Sequence, residues 1–214
     1  MKTNFEGRLS GGLIIAAVAG ALVLMLHHPT SFQGPDDGLL LNDWSNTVVH
    51  GAMIVCLFML RFALSTWARR LGPAHASVRA GAMAFDGGMT AFIGAALISG
   101  FAASGLAAGQ ADPAEVRLQL KAFVALNQVL ANLGMVLTAA ALGLWAIRMV
   151  RLKGLTRVTG LLGLTIAIMA AGWMIVGQGA FGLYPALIST LLFGAWSLLV
   201  AWRMIDGDQT GDAE

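Results

Sequence analysis

The residues from Leu9 to Leu26, LSGGLIIAAVAGALVLML, carry no charge over about 18 positions. As a helix rising about 1.5 Å per residue, such a stretch nearly crosses the ~30 Å hydrocarbon core of a bilayer. Five further charge-poor stretches follow, so the sequence predicts an all-α membrane protein, a six-helix bundle formed by one domain over residues 1–214. The predicted spans are 9–26, 44–67, 80–106, 122–147, 158–177 and 181–202.

The composition also favours a membrane protein. Of the 214 residues, 57% are hydrophobic and 11% are charged, whereas soluble domains are about 45–50% apolar and about 25% charged. A signal peptide is the alternative for the first stretch, because Lys2 and Arg8 precede it. That stretch is longer than a typical signal-peptide core, and the following LMLHHPT offers no small-residue cleavage site, so we expect a retained span.

Basic residues predict which ends of the spans are cytoplasmic, since Lys and Arg near span ends are retained there. With the N-terminus inside, eleven basic residues fall on the inner side and only Arg117 and Lys121 on the outer side. Both termini are therefore predicted to be cytoplasmic, and the acidic stretch 205–214 to be a disordered tail. Tryptophans near the inner span ends are predicted to be interfacial rings, namely Trp67, Trp145 and Trp202.

Common catalytic and nucleic-acid-binding patterns are not indicated. GQGAFG, residues 177–182, matches GxGxxG but occupies a turn between two spans rather than a strand-to-helix turn. HExxH, Walker A and GxSxG are absent from the sequence, and the single Cys56 excludes an intramolecular disulfide. The basic residues lie in short loops without interleaved aromatic residues, so no nucleic-acid partner is predicted.

A polar row, NDWSNTVVH, opens the second span. Asp43, Asn46 and His50 are spaced i, i+3, i+7 and share one helix face. His27 and His28 end the first span on the same predicted side. Imidazole and carboxylate are ligands for Zn²⁺ or Cu²⁺, so one hypothesis is a metal site formed by His27, His28, His50 and Asp43. The alternative is a set of interfacial polar residues in contact with water and lipid headgroups.

A second polar stripe, with Asn127, Gln128 and Asn132, lies in the fourth span. Amides at that depth are expected to face protein or a water-filled cavity. If they face His50, they complete an outward polar pocket for a small ligand, formed by Asp43, Asn46, His50, Asn127, Gln128 and Asn132. Interhelical hydrogen bonding between amides is the alternative.

Asp86 is an acidic residue inside the third span. An ionisable residue within a span suggests a functional site and needs a partner. Arg61 lies at a comparable depth on the preceding antiparallel span, so an Arg61–Asp86 pair is predicted, with Arg148 as the alternative partner. The pair is either a static bridge or a proton-coupled or gating element.

The RLSG opening at Arg8, the long first outer loop and the fifth-span entry KGLTRVTGLLGL together resemble an uncharacterised family of bacterial six-span membrane proteins. The resemblance extends over most of the chain. It implies the six-span fold in a bacterial inner membrane, and it implies no activity.

Three functions fit these features. The first, which we expect from the lack of catalytic motifs, is a non-enzymatic subunit, assembly factor or sensor, with lipid, other membrane subunits or a second copy as partners. The second is binding or transport of a small solute or a metal ion, zinc or copper, through the outward polar pocket. The third is a membrane enzyme or a haem protein, whose haem would lie between His50 and His27 or His28.

Overall fold

The computed structural model describes residues 2–28, 45–108, 113–176 and 183–206, and all its regular structure in these ranges is helical. The helices are α1 Lys2–Leu26, α2 Asn46–Leu71, α3 Ala76–Leu97, a π-helical segment Ile98–Ala103, α4 Ser104–Ala108, α5 Pro113–Met149, α6 Gly154–Val176 and α7 Leu183–Asp206.

Six helical stretches in these ranges are long and apolar enough to cross a membrane, which confirms the predicted number. The third is a continuous stretch, Ala76–Leu106, which joins α3, the π-helical segment and part of α4. Several helices extend past the predicted apolar stretches, because a helix continues into the interface where polar side chains are solvated. For example, α7 continues through Asp206, so only residues 207–214 of the predicted tail lie outside the described residues.

The two ends of the bundle differ in composition. His27, His28 and His50 lie where α1 ends and α2 begins, and this end is called the histidine end. The opposite end is called the arginine end, because basic residues occupy the last turns of α2, α5 and α7. These residues are Arg69, Arg70, Arg148 and Arg203.

The six spans form a closed ring in chain order, because each packs against the next and α7 packs back against α1. The most extensive of these contacts joins α3 and α5. A Cβ added at Gly88 would lie 2.8 Å from Thr138 Oγ1 and 3.1 Å from the carbonyl oxygen of Gly134. Small residues therefore let these two helices approach closely.

Stacked aromatic rings fill the ring of helices toward the arginine end. The Trp145 indole donates to the carbonyl of Val78 at 3.3 Å, and Trp196 donates to Thr159 at 3.0 Å. The two indoles are stacked with their centroids 6.0 Å apart. We call the set the aromatic column, and it consists of Phe85, Trp145, Trp196 and Phe193.

The aromatic column corrects the prediction of interfacial tryptophans. Trp67 and Trp145 lie near span ends as expected, but their side chains are only 1% and 0% exposed. Trp202, at 64%, faces out of the bundle. Position along a span gives the depth of a ring but not the face of the helix that carries it.

Candidate functional site

The polar start of α2 is hydrogen bonded to the third span. The Asn46 amide donates to the Ser99 carbonyl and to Ser104 Oγ, both at 2.8 Å. The Thr47 hydroxyl donates to the Gly100 carbonyl, also at 2.8 Å. All three acceptors lie in the π-helical segment or directly after it, and such segments are rare and often mark functional sites. Hydrogen bonds from Asn46 and Thr47 of the predicted polar row therefore hold the start of α2 against the third span.

His50 is buried beside the π-helical segment. It is 8% exposed, and a Cβ added at Gly100 would overlap the Cβ of His50, so only glycine fits there. His50 Nδ1 lies 2.9 Å from the carbonyl oxygen of Asn46. Because a carbonyl only accepts, Nδ1 carries the proton of the neutral ring and Nε2 keeps its lone pair.

Part of the predicted metal set is brought together at the histidine end. The rings of His28 and His50 are in contact, with centroids 5.0 Å apart and planes at 68°. His27 lies in the turn directly after α1. Asp43 lies outside the described residues, as does the GQGAFG turn. Within the described ranges, no group of three or more His, Cys, Asp or Glu side chains could hold a metal ion.

The ring of helices encloses a cavity of about 400 Å³, to which all six spans contribute. Ligand sites usually measure about 300–1,000 Å³ and are lined mainly by apolar side chains. The apolar lining includes four thioethers and two aromatic rings, from Met25, Met53, Met89, Met135, Phe92 and Phe193. Phe193 belongs both to the cavity lining and to the aromatic column.

Two residues that line this cavity carry buried hydroxyl groups. Thr138 is 6% exposed and Ser189 is 5% exposed. Neither hydroxyl oxygen has a hydrogen-bond partner in the part of the chain that the structure describes. An unsatisfied buried hydroxyl costs about 1–3 kcal/mol, so each of these groups calls for a partner.

The cavity is partly open beside α1 and α7. Its lining includes Leu22, which is 42% exposed, and Leu191 and Leu198, which are 48% and 41% exposed. All three leucines belong to membrane-length helices. The opening therefore lies within the apolar part of the bundle rather than in a loop.

The amides of the fourth span are paired along their own helix. The Gln128 amide donates to Asn132 Oδ1 at 2.9 Å, four residues further along α5. Gln128 is exposed, Asn127 is half-buried, and Gln128 makes no hydrogen bond to the start of α2 within the described ranges.

Arg61 and Asp86 form an ion pair, with Arg61 Nε 2.5 Å from Asp86 Oδ1. Both residues lie ten positions from the arginine end of their helices, about 15 Å along the axis. Their side chains are 33% and 53% exposed, so the pair lies on the outside of the bundle. The alternative partner, Arg148, has a buried Nε without a hydrogen-bond partner among the described residues.

Some residues of these sites were missed by the sequence analysis. The stretch ISGFAASG carries Ser99, Gly100 and Ser104, and its small polar residues are the only signal that it receives the start of α2. Thr138 is an isolated hydroxyl in an apolar stretch, and Ser189 is followed directly by Thr190. Nothing in their local sequence distinguishes them from hydroxyls that bond to their own helix.

The chain matches no protein-family model, no curated protein and no solved structure. The chemistry of the site is therefore inferred from its own residues.

Proposed function

We propose that the protein is a multi-pass membrane protein that binds a lipid-soluble small molecule in its central cavity, as a non-enzymatic binding or sensor module. The observation that carries this proposal is the apolar cavity with two buried, unpartnered hydroxyls, Thr138 and Ser189. The apolar lining suits a hydrocarbon body. Each hydroxyl offers an O–H donor, so the ligand carries at least one acceptor oxygen.

The ligand enters from the bilayer. Leu191 and Leu198, which border the opening, belong to a membrane-length helix. At this depth, acyl chains surround the protein. A water-soluble solute would have to leave its hydration shell to use this route, whereas a lipophilic molecule is already concentrated there. This route favours a binding or sensing role over transport of a polar solute through the histidine end.

The proposal includes the orientation predicted from the basic residues, with both termini in the cytoplasm of a bacterial cell. In a Cys56→Ala background, a membrane-impermeant maleimide should label Ser45→Cys, at the histidine end, in intact cells. It should label Ala74→Cys, at the arginine end, only after permeabilisation. The reverse labelling pattern would contradict this orientation.

Thermal unfolding of the purified full chain in detergent tests the ligand proposal with dodecan-1-ol as the probe and dodecane as its matched control. A ligand that binds only the folded state raises the unfolding temperature. We expect a larger rise with the alcohol, because its oxygen can pair with Thr138 or Ser189 and the alkane cannot.

Variants at two neighbouring residues show whether dodecan-1-ol raises the unfolding temperature by binding in the cavity. Ala170 lines the cavity and is buried, so Ala170→Phe should fill the cavity and abolish the rise caused by dodecan-1-ol. Ala171 is exposed, so Ala171→Phe should leave it unchanged. An equal rise in both variants would show that the alcohol acts through the micelle, and the proposed function would fail.

A second candidate function is that of a subunit in a membrane assembly. The observation that favours it is the exposed Arg61–Asp86 pair. Charged side chains within a span are costly where they face lipid, and they usually face protein. A neighbouring protein that covers this surface would remove the pair from contact with lipid.

A further inference from the structure

Two pairs of one histidine and one methionine, each with a spacing of three residues, lie at the histidine end. Met25 and His28 are three residues apart at the end of α1, where the His28 N–H donates to the Met25 carbonyl at 3.3 Å. His50 and Met53 are three residues apart near the start of α2. Residues three apart lie on one face of a helical turn.

Because the two histidine rings are in contact, the two histidine–methionine pairs lie at the same depth in the bundle. α1 and α2 are packed together and run in opposite directions, so each methionine lies one turn deeper than the adjacent histidine. Met25 and Met53 both line the central cavity and therefore face the inside of the bundle. The two imidazoles are in contact, and each lies three residues from a methionine that lines the cavity.

The spacing of the two rings suits a shared metal ion. With metal–nitrogen bonds of about 2.0–2.1 Å, two imidazoles at a tetrahedral angle have centroids about 5 Å apart. The centroids of His28 and His50 are 5.0 Å apart. The bond from His50 Nδ1 to the Asn46 carbonyl leaves Nε2 as the ligating atom and fixes the ring, as is usual for metal-binding histidines.

The donor set selects the metal. Thioether sulfur is a soft ligand that favours Cu⁺, whereas Zn²⁺ sites are built from cysteine, histidine and carboxylate. All four donors are uncharged, and a monovalent ion is less costly than a divalent ion to place beside an apolar cavity.

We infer that Met25, His28, His50 and Met53 form a binding site for one Cu⁺ ion at the histidine end of the bundle. This site shares His28 and His50 with the set expected from the sequence and adds two methionine thioethers. Its two histidines do not line the proposed lipophilic site, whereas Met25 and Met53 belong to both sites.

The test is an anaerobic titration of the purified full chain with Cu⁺, using bicinchoninate as the competing chromophore. We expect one ion per chain, and X-ray absorption of the complex should show both nitrogen and sulfur neighbours. Met53→Leu preserves the side-chain volume and should weaken binding at least tenfold, as should His50→Gln. The control is Met83→Leu, because Met83 is 77% exposed on α3 and should leave the affinity unchanged.

Several results would overturn the inference: fewer than half an ion bound per chain, a spectrum without sulfur, or equal affinity in the Met53→Leu and Met83→Leu variants. Two variants separate this inference from the proposed function. Ala170→Phe should keep Cu⁺ and lose stabilisation by dodecan-1-ol, whereas His50→Gln should lose Cu⁺ and keep that stabilisation. Loss of both properties in each folded variant would mean that the two sites are not separate.

Discussion

The hydroxyl of Thr138 differs from other buried threonine hydroxyls in the bundle. Thr66 Oγ1 donates to the Phe62 carbonyl at 3.2 Å, and Thr159 Oγ1 donates to the Leu155 carbonyl at 2.9 Å. Each of those bonds returns to the carbonyl four residues earlier, which is the usual solution for a threonine inside a helix. Thr138 lacks a partner among the described residues and instead borders the cavity.

This difference predicts opposite effects for one substitution at two positions. Thr138→Val removes an unpaired buried hydroxyl, so it should raise the free energy of unfolding of the ligand-free protein by about 1 kcal/mol. Thr159→Val removes a hydrogen bond that is made, so it should lower that free energy by about 1 kcal/mol. Equilibrium unfolding in detergent micelles measures both.

Thr138→Val should also weaken the binding of dodecan-1-ol by about fivefold, which corresponds to about 1 kcal/mol. The substitution keeps the shape of the side chain, so a change in cavity volume does not complicate the result. If Thr138→Val instead lowers the stability as much as Thr159→Val does, then the hydroxyl is paired in the protein. Ser189 would then carry the only unpaired hydroxyl on a cavity-lining residue in the described ranges.

The π-helical segment is the element that joins the histidine end to the third span. Its backbone carbonyls at Ser99 and Gly100 accept the side-chain bonds from α2, and Gly100 leaves the space that His50 occupies. Any side chain at Gly100 would push α2 away from this segment. The close contact therefore depends on one glycine.

Two glycines in this part of the third span give a matched comparison. Gly100→Ala should destabilise the protein by about 1–3 kcal/mol, because the added methyl overlaps His50 in a packed site. Gly105→Ala should be neutral or stabilise by up to about 1 kcal/mol, since nothing lies within 4 Å of its added Cβ and alanine favours a helix. Thermal unfolding of both variants tests this, and equal effects would contradict the packing described for His50.

The sequence predicted those features that depend on one helix at a time. Apolar runs revealed six membrane-length helices, and the distances of Arg61 and Asp86 from their helix ends revealed that the two residues lie at the same depth. The partner of Asn46 could not be predicted in this way. A π-helical turn changes the register of the third span, and no periodic pattern marks that change.

The cavity could not be predicted because it belongs to the ring and to no single helix. Its wall combines residues from six spans, and the polar wall residues Thr138 and Ser189 are about 50 positions apart in the chain. For the same reason, depth alone could not show that Trp145 points into the bundle. The pairing of His28 with His50 was within reach, since consecutive antiparallel spans place the end of one beside the start of the next.

The outside of the bundle carries an exposed ion pair at a depth where charged side chains are costly. The Arg61–Asp86 pair and Met83 lie on the outward surface of α2 and α3, about 10–15 Å from the helix ends. In a second copy packed on this surface about a twofold axis, any contact between Asp86 and the other copy's Arg61 would be made twice, because such an interface is self-complementary. We therefore expect this surface to form a homodimer.

Cysteine cross-linking in native membranes tests the dimer in a Cys56→Ala background. Met83→Cys should form a disulfide-linked dimer on mild oxidation, since Met83 lies three residues from Asp86 and is 77% exposed. Ile168→Cys, which is 63% exposed on α6, should remain monomeric. Adding Asp86→Asn to Met83→Cys should reduce the cross-linked fraction several-fold, because it removes one charge from each half of the interface. If both cysteine variants cross-link equally, collisions in the membrane explain the product, and the pair must then be covered by lipid or by a different protein.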